Sequence, residues 1–276
     1  MRITRRQLRQ ICESYLAEEV SSGEEGSGEE QSGQGEEQQK GPKSGPISSG
    51  KYPQDMIKLI EKEMDAVGMT NQYARIALLS VLAKESGLKP KSEKTYDKTS
   101  VARIKQIWPW MGKKYSDEEL EDIKKSTSPS DGNKKPGLGL FDIVYGPERP
   151  GESAEKYGNT TPEDGSKYRG RGFNQITWKK TYEKYAQLSG IDIVGNPDKL
   201  NEPETAAKVA IAFLVNRLKS GPQEKGLNGT ANPDFQSQED ANEMLARANA
   251  GWGKGGSALA RAIASTTKAS QNFTTA

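Results

Sequence analysis

The sequence predicts a mainly helical protein with one folded domain, and three observations lead to that prediction. After residue 50, apolar residues recur three and four positions apart in several long segments, which is the spacing of one helix face. Residues that typically begin or end helices stand at the edges of those segments. No segment alternates apolar and polar residues well enough to predict a large sheet.

The elements follow in chain order. The predicted helices cover 53–67, 71–84, 177–190, 202–219, 237–248 and 257–268. Gly68 is a natural stop for the first, and the second is the most apolar. Thr177 and Asn201 are predicted to cap the third and fourth, because their side chains can accept a hydrogen bond from a first-turn N–H group. Between Pro129 and Gly172, frequent glycine and proline favour a long loop or a small hairpin.

Residues 1–50 differ from the rest of the chain. Residues 1–20 predict a short amphipathic helix, and its apolar positions are Leu8, Ile11, Cys12, Tyr15 and Leu16. Residues 21–50 are rich in glycine, serine and glutamate with one aliphatic residue, which predicts a disordered linker. The folded domain is therefore expected over 51–276.

Composition excludes several kinds of chemistry. The chain has no histidine and a single cysteine, Cys12, so Ser-His-Asp and Cys-His catalysis are excluded and no metal site is predicted. The net charge of +2 gives little support to a nucleic-acid partner. No apolar run approaches the roughly 20 residues of a membrane helix, and no apolar signal segment follows the basic N-terminus. We therefore expect neither stable membrane insertion nor a signal peptide.

Carboxylates remain as the candidate acid and base of an enzyme. Glu85 follows Leu78 and Leu82 on the same helical face, where loss of solvation favours the protonated form that a proton donor needs. Gly87 and Pro90 end that helix, so Glu93 is expected in a loop. The spacing alone favours the alternative that Glu85 is a surface residue that ends its helix.

Four segments, in this order, resemble glycoside hydrolase family 19, which contains plant chitinases and many phage and bacterial endolysins. They are KESGLKPKSEKTYDKTSVARIKQIWP, LFDIVYGPE, DGSKYRGRGFNQITW and IDIVGNPDKL. The resemblance covers about 52–273. It implies a mainly helical, lysozyme-like α+β fold that hydrolyses β-1,4 bonds next to N-acetylated sugars with inversion. It implies no metal or organic cofactor.

The resemblance also implies roles for individual residues. Glu85 matches the general acid, Glu93 the general base and Thr177 the hydroxyl that helps to hold the attacking water. The residues that match sugar-contacting positions are Gln175, Asn249 and, more weakly, Arg261. The chain departs from the family pattern at Lys84, where a histidine usually precedes the acid, and at Ala250, where a glycine usually follows the asparagine.

Aromatic and arginine side chains complete the candidate site. Tyr96 and Trp178 are predicted to offer flat faces to sugar rings, as are Trp108 and Tyr145, although each could instead be an ordinary core aromatic. The arginines of 168–178, YRGRGFNQITW, are expected to hold carboxylates or carbonyls rather than nucleic acid, since an RNA-binding repeat is missing.

The sequence therefore predicts an endo-acting, inverting glycosidase that acts on peptidoglycan, as a phage endolysin or a virion-associated lysozyme. Chitin is the alternative substrate. ESGLKP also resembles a segment of lytic transglycosylases, and a virion structural or wall-binding protein without activity is a further alternative. Residues 1–20 are predicted to dock on a virion or tail protein; the alternatives are a disordered, dispensable terminus and weak binding of its arginines to an anionic membrane surface. The expected location is the virion, or the host cytoplasm with release to the cell wall.

Overall fold

The computed structural model describes residues 45–125, 139–147, 149–151, 153–223, 227 and 229–275. The predicted helix 1–20, and all of the predicted linker except its last six residues, lie outside these ranges. The described residues are mainly helical, which confirms the predicted fold class and is consistent with a lysozyme-like fold.

The helices fall into two sets along the chain. The long ones are α1 (Gln54–Ala66), α2 (Gln72–Ser86), α9 (Lys179–Ser189), α10 (Pro203–Lys219), α11 (Gln238–Ala250) and α12 (Gly256–Ser270). The short ones are α3 (Val101–Ile107), α4 (Met111–Lys114), α5 (Asp117–Lys125), α6 (Leu140–Tyr145), α7 (Ser153–Lys156) and α8 (Asp164–Lys167). The six predicted helices correspond to the six long ones.

The described chain divides into two compact units. The first unit comprises 45–88 and 211–275, and the second comprises 89–210. The boundary at residue 211 falls within α10. No helix in the described ranges is both long enough and apolar enough to cross a membrane.

In the first unit, α2 packs against α11 and α12. Its side chains are buried on nearly every face, as its apolar sequence predicts. Buried Arg75 of α2 donates to Glu61 of α1 at 3.2 Å, and Glu61 also accepts from the backbone N–H of Ile47 at 3.1 Å. These bonds join α2, α1 and strand β1 (Ile47–Ser48), which pairs antiparallel with β2 (Thr274–Thr275).

The folded part begins earlier than the predicted boundary at Lys51. Ile47, the one aliphatic residue of the predicted linker, is fully buried and its strand pairs with the far end of the chain. Gln54 donates from Nε2 to the Ile47 carbonyl at 2.7 Å. Residues 45–50 therefore belong to the first unit by packing as well as by position.

In the second unit, the segment predicted as loop or hairpin contains α6, α7 and α8, so the prediction of a loop throughout 129–172 is wrong for those residues. These helices are four to six residues long and are held by tertiary contacts rather than by local propensity. Gly165 permits the close approach of α8 to α6, because a Cβ there would lie 2.3 Å from the Phe141 carbonyl oxygen.

Both predicted caps of the second unit are wrong. The helix-terminal N–H of Lys179 bonds to the side chain of Asn159 at 3.0 Å, while the Thr177 hydroxyl donates to the Gln175 carbonyl. The helix predicted from 202 begins at Pro203, a residue suited to a first helical position. Asn201 instead ends a 3₁₀ turn, Pro197–Asn201.

Candidate active site

The first unit places Glu85 in the last turn of α2, just before Gly87 ends the helix in the left-handed conformation. The Glu85 side chain is 6% exposed. Its Oε1 atom lies 2.8 Å from Nζ of Lys84 and accepts a hydrogen bond from Nδ2 of Asn249 at 3.1 Å. The residue is therefore a nearly buried carboxylate with a cation and an amide on the same oxygen, not a solvated helix end.

Asn249 reaches Glu85 because α11 packs on α2. Ser237 caps α11 by accepting from the N–H of Asp240 at 3.1 Å, and Gly251 ends the helix with φ of 98°. Asn249 thus occupies the last turn of α11, as Glu85 occupies the last turn of α2. Glu85 and Asn249, two of the predicted site residues of this unit, come together although 164 positions separate them.

The second unit holds Glu93 by both of its carboxylate oxygens. The Tyr96 hydroxyl donates to Oε1 at 3.2 Å and the Tyr145 hydroxyl donates to Oε2 at 3.1 Å. Both tyrosine rings are buried, and Tyr145 stacks on Phe141 with ring centroids 6.1 Å apart. Because each ring is fixed by packing, the orientation of the carboxylate is fixed as well.

Hydrogen bonds hold the chain around Glu93 at three consecutive residues. The Lys91 carbonyl accepts from Nε2 of Gln175 at 2.8 Å, and Ser92 bonds to the side chain of Asn201 at 3.0 Å. The Glu93 N–H donates to the Gly170 carbonyl at 2.6 Å. Glu93 lies in a loop, as predicted, but in a loop that the rest of the unit holds in one place.

A tight hairpin faces this loop. Arg171 and Ile176 form an antiparallel bridge through two backbone hydrogen bonds, of 3.1 and 2.9 Å. Gln175, near the turn, has φ of 54°, a left-handed conformation that few non-glycine residues adopt and that often marks functional sites. Gln175 also donates from Nε2 to the Gly172 carbonyl at 3.0 Å, which helps to hold the turn.

Gly170 marks the point where three predicted site residues meet. A Cβ atom on Gly170 would lie 3.3 Å from Oε1 of Gln175, 3.4 Å from Oε2 of Glu93 and 3.4 Å from Oγ1 of Thr177. Gly170 therefore supplies the space in which these three polar groups approach one another.

The arginines of this segment contact carbonyls and a carboxylate, as predicted. Arg171 donates from Nε to Asp198 at 2.8 Å and from Nη1 to the Lys167 carbonyl at 2.7 Å. Its neighbour Tyr182 donates to the Arg169 carbonyl at 2.7 Å, and burial raises the pKa of Tyr182 to about 12. This network braces the hairpin from the side of α9.

The prediction of sugar-stacking faces is wrong for Trp178. Its side chain is 1% exposed and packs between Tyr145 and Tyr157, with ring centroids 5.2 and 5.3 Å away. Trp108 is likewise a core residue, packed edge-on against Tyr96 at 5.1 Å. Tyr96 and Tyr145 contribute their hydroxyl groups to Glu93, while their ring faces pack in the core.

Arg261, on α12, is half-buried. Its side chain forms no ion pair or hydrogen bond with any other described residue. Its match to a sugar-contacting arginine remains a prediction. No group of three or more candidate metal-ligating side chains occurs among the residues that the structure describes.

The sequence did not indicate two contacts of these sites: the Lys84 ion pair and the tyrosine hydroxyls on Glu93. The sequence predicts a role for the rings of these tyrosines, and no local pattern shows where a hydroxyl points. Glycine at position 170 was a usable signal, because glycine often stands where backbone must pass close to other groups.

Comparison with known proteins relates this chain to one class of enzyme. The chain is 33% identical over 88 residues to acidic endochitinase SP2 from Beta vulgaris, a stretch that is 29% of this chain and 31% of that protein. The chain thus matches about a third of the length of this curated relative. No family model matches the chain. The similarity supports a chitinase-like, glycoside hydrolase relationship.

Proposed function

We propose that this chain is an endo-acting, inverting glycosidase that cleaves β-1,4 bonds in polymers of N-acetylated sugars. The observation that carries the proposal is the holding of Glu93, whose two carboxylate oxygens are each fixed by a buried tyrosine hydroxyl. Such fixing is typical of a group that must meet a water molecule in one geometry. The 88-residue similarity to an endochitinase supports the same class of reaction.

The proposed reaction uses two carboxyl groups. Glu85 gives its proton to the glycosidic oxygen, so the leaving sugar departs as an alcohol. Glu93 takes a proton from a water molecule, whose oxygen bonds to the anomeric carbon from the opposite side and inverts it. Thr177 helps to orient that water, and Gln175 and Asn249 contact the sugars.

We propose peptidoglycan as the substrate because of the charges beside Glu93. Four lysines lie within ten residues around Glu93, and all are exposed: Lys89, Lys91, Lys94 and Lys98. Peptidoglycan carries carboxylates on its lactyl groups and stem peptides, whereas chitin is neutral. A cationic surface raises the local concentration of an anionic polymer, and this effect weakens as salt is added.

Chitin is the second candidate, favoured by the similarity to an endochitinase. Both polymers repeat β-1,4-linked N-acetylated sugars, so one pair of carboxyl groups serves either.

The test is digestion of purified peptidoglycan and of chitin oligomers, with analysis of product mass and anomer. We expect reducing ends in the inverted configuration, faster release from peptidoglycan, and loss of that preference at high salt. Anhydro-sugar ends would instead identify a lytic transglycosylase. Binding without release from either polymer would identify a wall-binding or structural protein.

Substitution of the two carboxyl groups accompanies this test. Glu85→Gln and Glu93→Gln keep side-chain size but remove the acid and the base, and each is expected to lower turnover by about 10²–10⁴-fold. Circular dichroism and sugar binding check that the variants fold. A folded Glu85→Gln protein with near-normal turnover would contradict the assignment of the acid.

A further inference from the structure

Two N–H donors converge on one oxygen of Glu85. Lys84 Nζ lies 2.8 Å from Oε1 and Asn249 Nδ2 donates to the same atom at 3.1 Å. The Glu85 side chain makes no other ion pair or hydrogen bond with the residues that the structure describes. Oε2 thus receives no hydrogen bond from the described part of the protein.

The ion pair with Lys84 is unusual in its placement. Neighbouring side chains of a helix point about 100° apart, so residues one position apart do not normally face each other. The Lys84 chain must turn back to reach Glu85, and its side chain is only 12% exposed. A lysine side chain without such a contact would extend into solvent, because ordering a long side chain costs conformational entropy.

The position of the donors decides where an acidic proton resides. A protonated carboxyl group has one carbonyl oxygen, which accepts hydrogen bonds, and one hydroxyl oxygen, which donates. Since Oε1 already accepts a hydrogen bond from the Asn249 amide and is paired with the Lys84 ammonium, protonation of Glu85 places the hydrogen on Oε2. When that proton leaves, the negative charge that forms on the carboxylate lies beside the Lys84 ammonium.

We propose that Lys84 is a positioning residue for proton transfer: with Asn249 it holds Oε1, so that Oε2 of Glu85 carries the proton and delivers it. This inference rests on the proposed function. In the step, the Oε2–H bond breaks, a bond from hydrogen to the glycosidic oxygen forms, and the C–O bond to the leaving sugar breaks. Lys84 stabilises the resulting carboxylate and itself exchanges no proton.

The test is Lys84→Met, which keeps the side-chain length and removes the charge and the donor. We expect a fall in kcat of about 10- to 100-fold with KM nearly unchanged, because a group in the wrong orientation slows chemistry and not binding. Lys84→Gln, which retains an N–H donor, should recover part of kcat.

Controls separate this inference from the proposed function. Lys62→Met, an exposed lysine on α1, should leave the activity and its pH profile unchanged. In a Glu85→Gln background, Lys84→Met should cause no further loss. An active Glu85→Gln protein would overturn the proposed function. An inactive Glu85→Gln protein together with a folded Lys84→Met protein of normal kcat would overturn the role of Lys84 alone.

Discussion

A side chain added at Gly170 would crowd Glu93, the proposed general base. The side chains of Glu93, Gln175 and Thr177 all approach the position that a Cβ on Gly170 would take. An added methyl group would lie 3.3 Å from Oε1 of Gln175, which then has to shift by a few tenths of an ångström, and it would be in contact with the oxygens of Glu93 and Thr177 at 3.4 Å.

We therefore predict that Gly170→Ala lowers kcat by about tenfold or more while the protein still folds, because small displacements of reacting groups are costly. Steady-state kinetics on chitin oligomers or peptidoglycan, together with thermal unfolding, measures both quantities. Gly50→Ala is the matched control, since a Cβ there meets nothing within 4 Å. Unchanged kcat in the Gly170 variant would argue against Glu93 and Thr177 as a working pair.

At the scale of elements, α6 carries a buried carboxyl group in addition to the tyrosine that holds Glu93. Asp142 is 3% exposed, and its Oδ1 accepts from the N–H and the hydroxyl of Ser166 in α8. Its Oδ2 is buried with no hydrogen-bond partner among the described residues. Burial raises the pKa of Asp142 above its ordinary value of 3.8; the Ser166 bonds partly oppose this, and Glu163 adds to it.

The raised pKa of Asp142 determines how its contribution to the free energy of unfolding changes with pH. A raised pKa means that the folded state binds the proton more tightly than the unfolded chain does. The contribution of Asp142 is therefore fully favourable below pH 3.8 and is lost as the pH rises through the folded-state pKa.

We predict that Asp142→Asn, which cannot ionise, removes this part of the pH dependence. The difference in unfolding free energy between variant and wild type should shift in favour of the variant as the pH rises from about 4 to 7. Urea unfolding at several pH values measures it, and exposed Asp55→Asn on α1 serves as the control. A difference that stays constant across this range would mean that Asp142 does not titrate there.

The elements also show what the sequence could and could not predict. The long helices were predictable because their apolar spacing is a local property, repeated over eleven to seventeen residues. The predicted caps Thr177 and Asn201 were wrong because contacts with distant residues replaced the local ones. Asn159 accepts from the first N–H of α9 in place of Thr177, and Asn201 bonds to Ser92, 109 positions away. The helices α6 to α8 are too short to carry a periodic pattern.

In the candidate site, too, the sequence could predict some residues but not the contacts between distant segments. Glu85 and Glu93 are predicted from the end of a helix and from the resemblance of short segments to a known family, which are local features. The partners that surround them come from other elements: Asn249 meets Glu85 across 164 positions and Tyr145 meets Glu93 across 52. No pattern within a single segment predicts such contacts, and the catalytic roles of the carboxylates remain proposals.

For the whole molecule, the packing of residues 45–50 determines where the chain can be shortened. A protein that begins at Lys51 loses Ile47, whose side chain is fully buried and whose backbone bonds to Glu61 and Gln54. A protein that begins at Gly45 keeps these contacts. The two truncations differ by six residues.

We predict that the Lys51 truncation is less stable than the Gly45 truncation by about 2–5 kcal/mol, as for removal of a large core side chain. Chemical denaturation of both proteins gives the difference. We also propose that residues 1–20 dock on a virion or tail protein, so the Gly45 protein should hydrolyse soluble substrate normally but fail to co-sediment with assembled particles. Normal incorporation of the Gly45 protein would show that docking does not use residues 1–20.

The pairing of β1 with β2 has a consequence for the newly made chain. Ser48 and Thr274 share a hydrogen bond although 226 positions separate them. At about 5–20 residues per second, a ribosome takes roughly 10–45 s to add the residues between them. The second unit, a continuous stretch from 89 to 210, can fold during that interval. The first unit has to wait for 211–275, so during synthesis its apolar α2 is without α11 and α12 and available to chaperones.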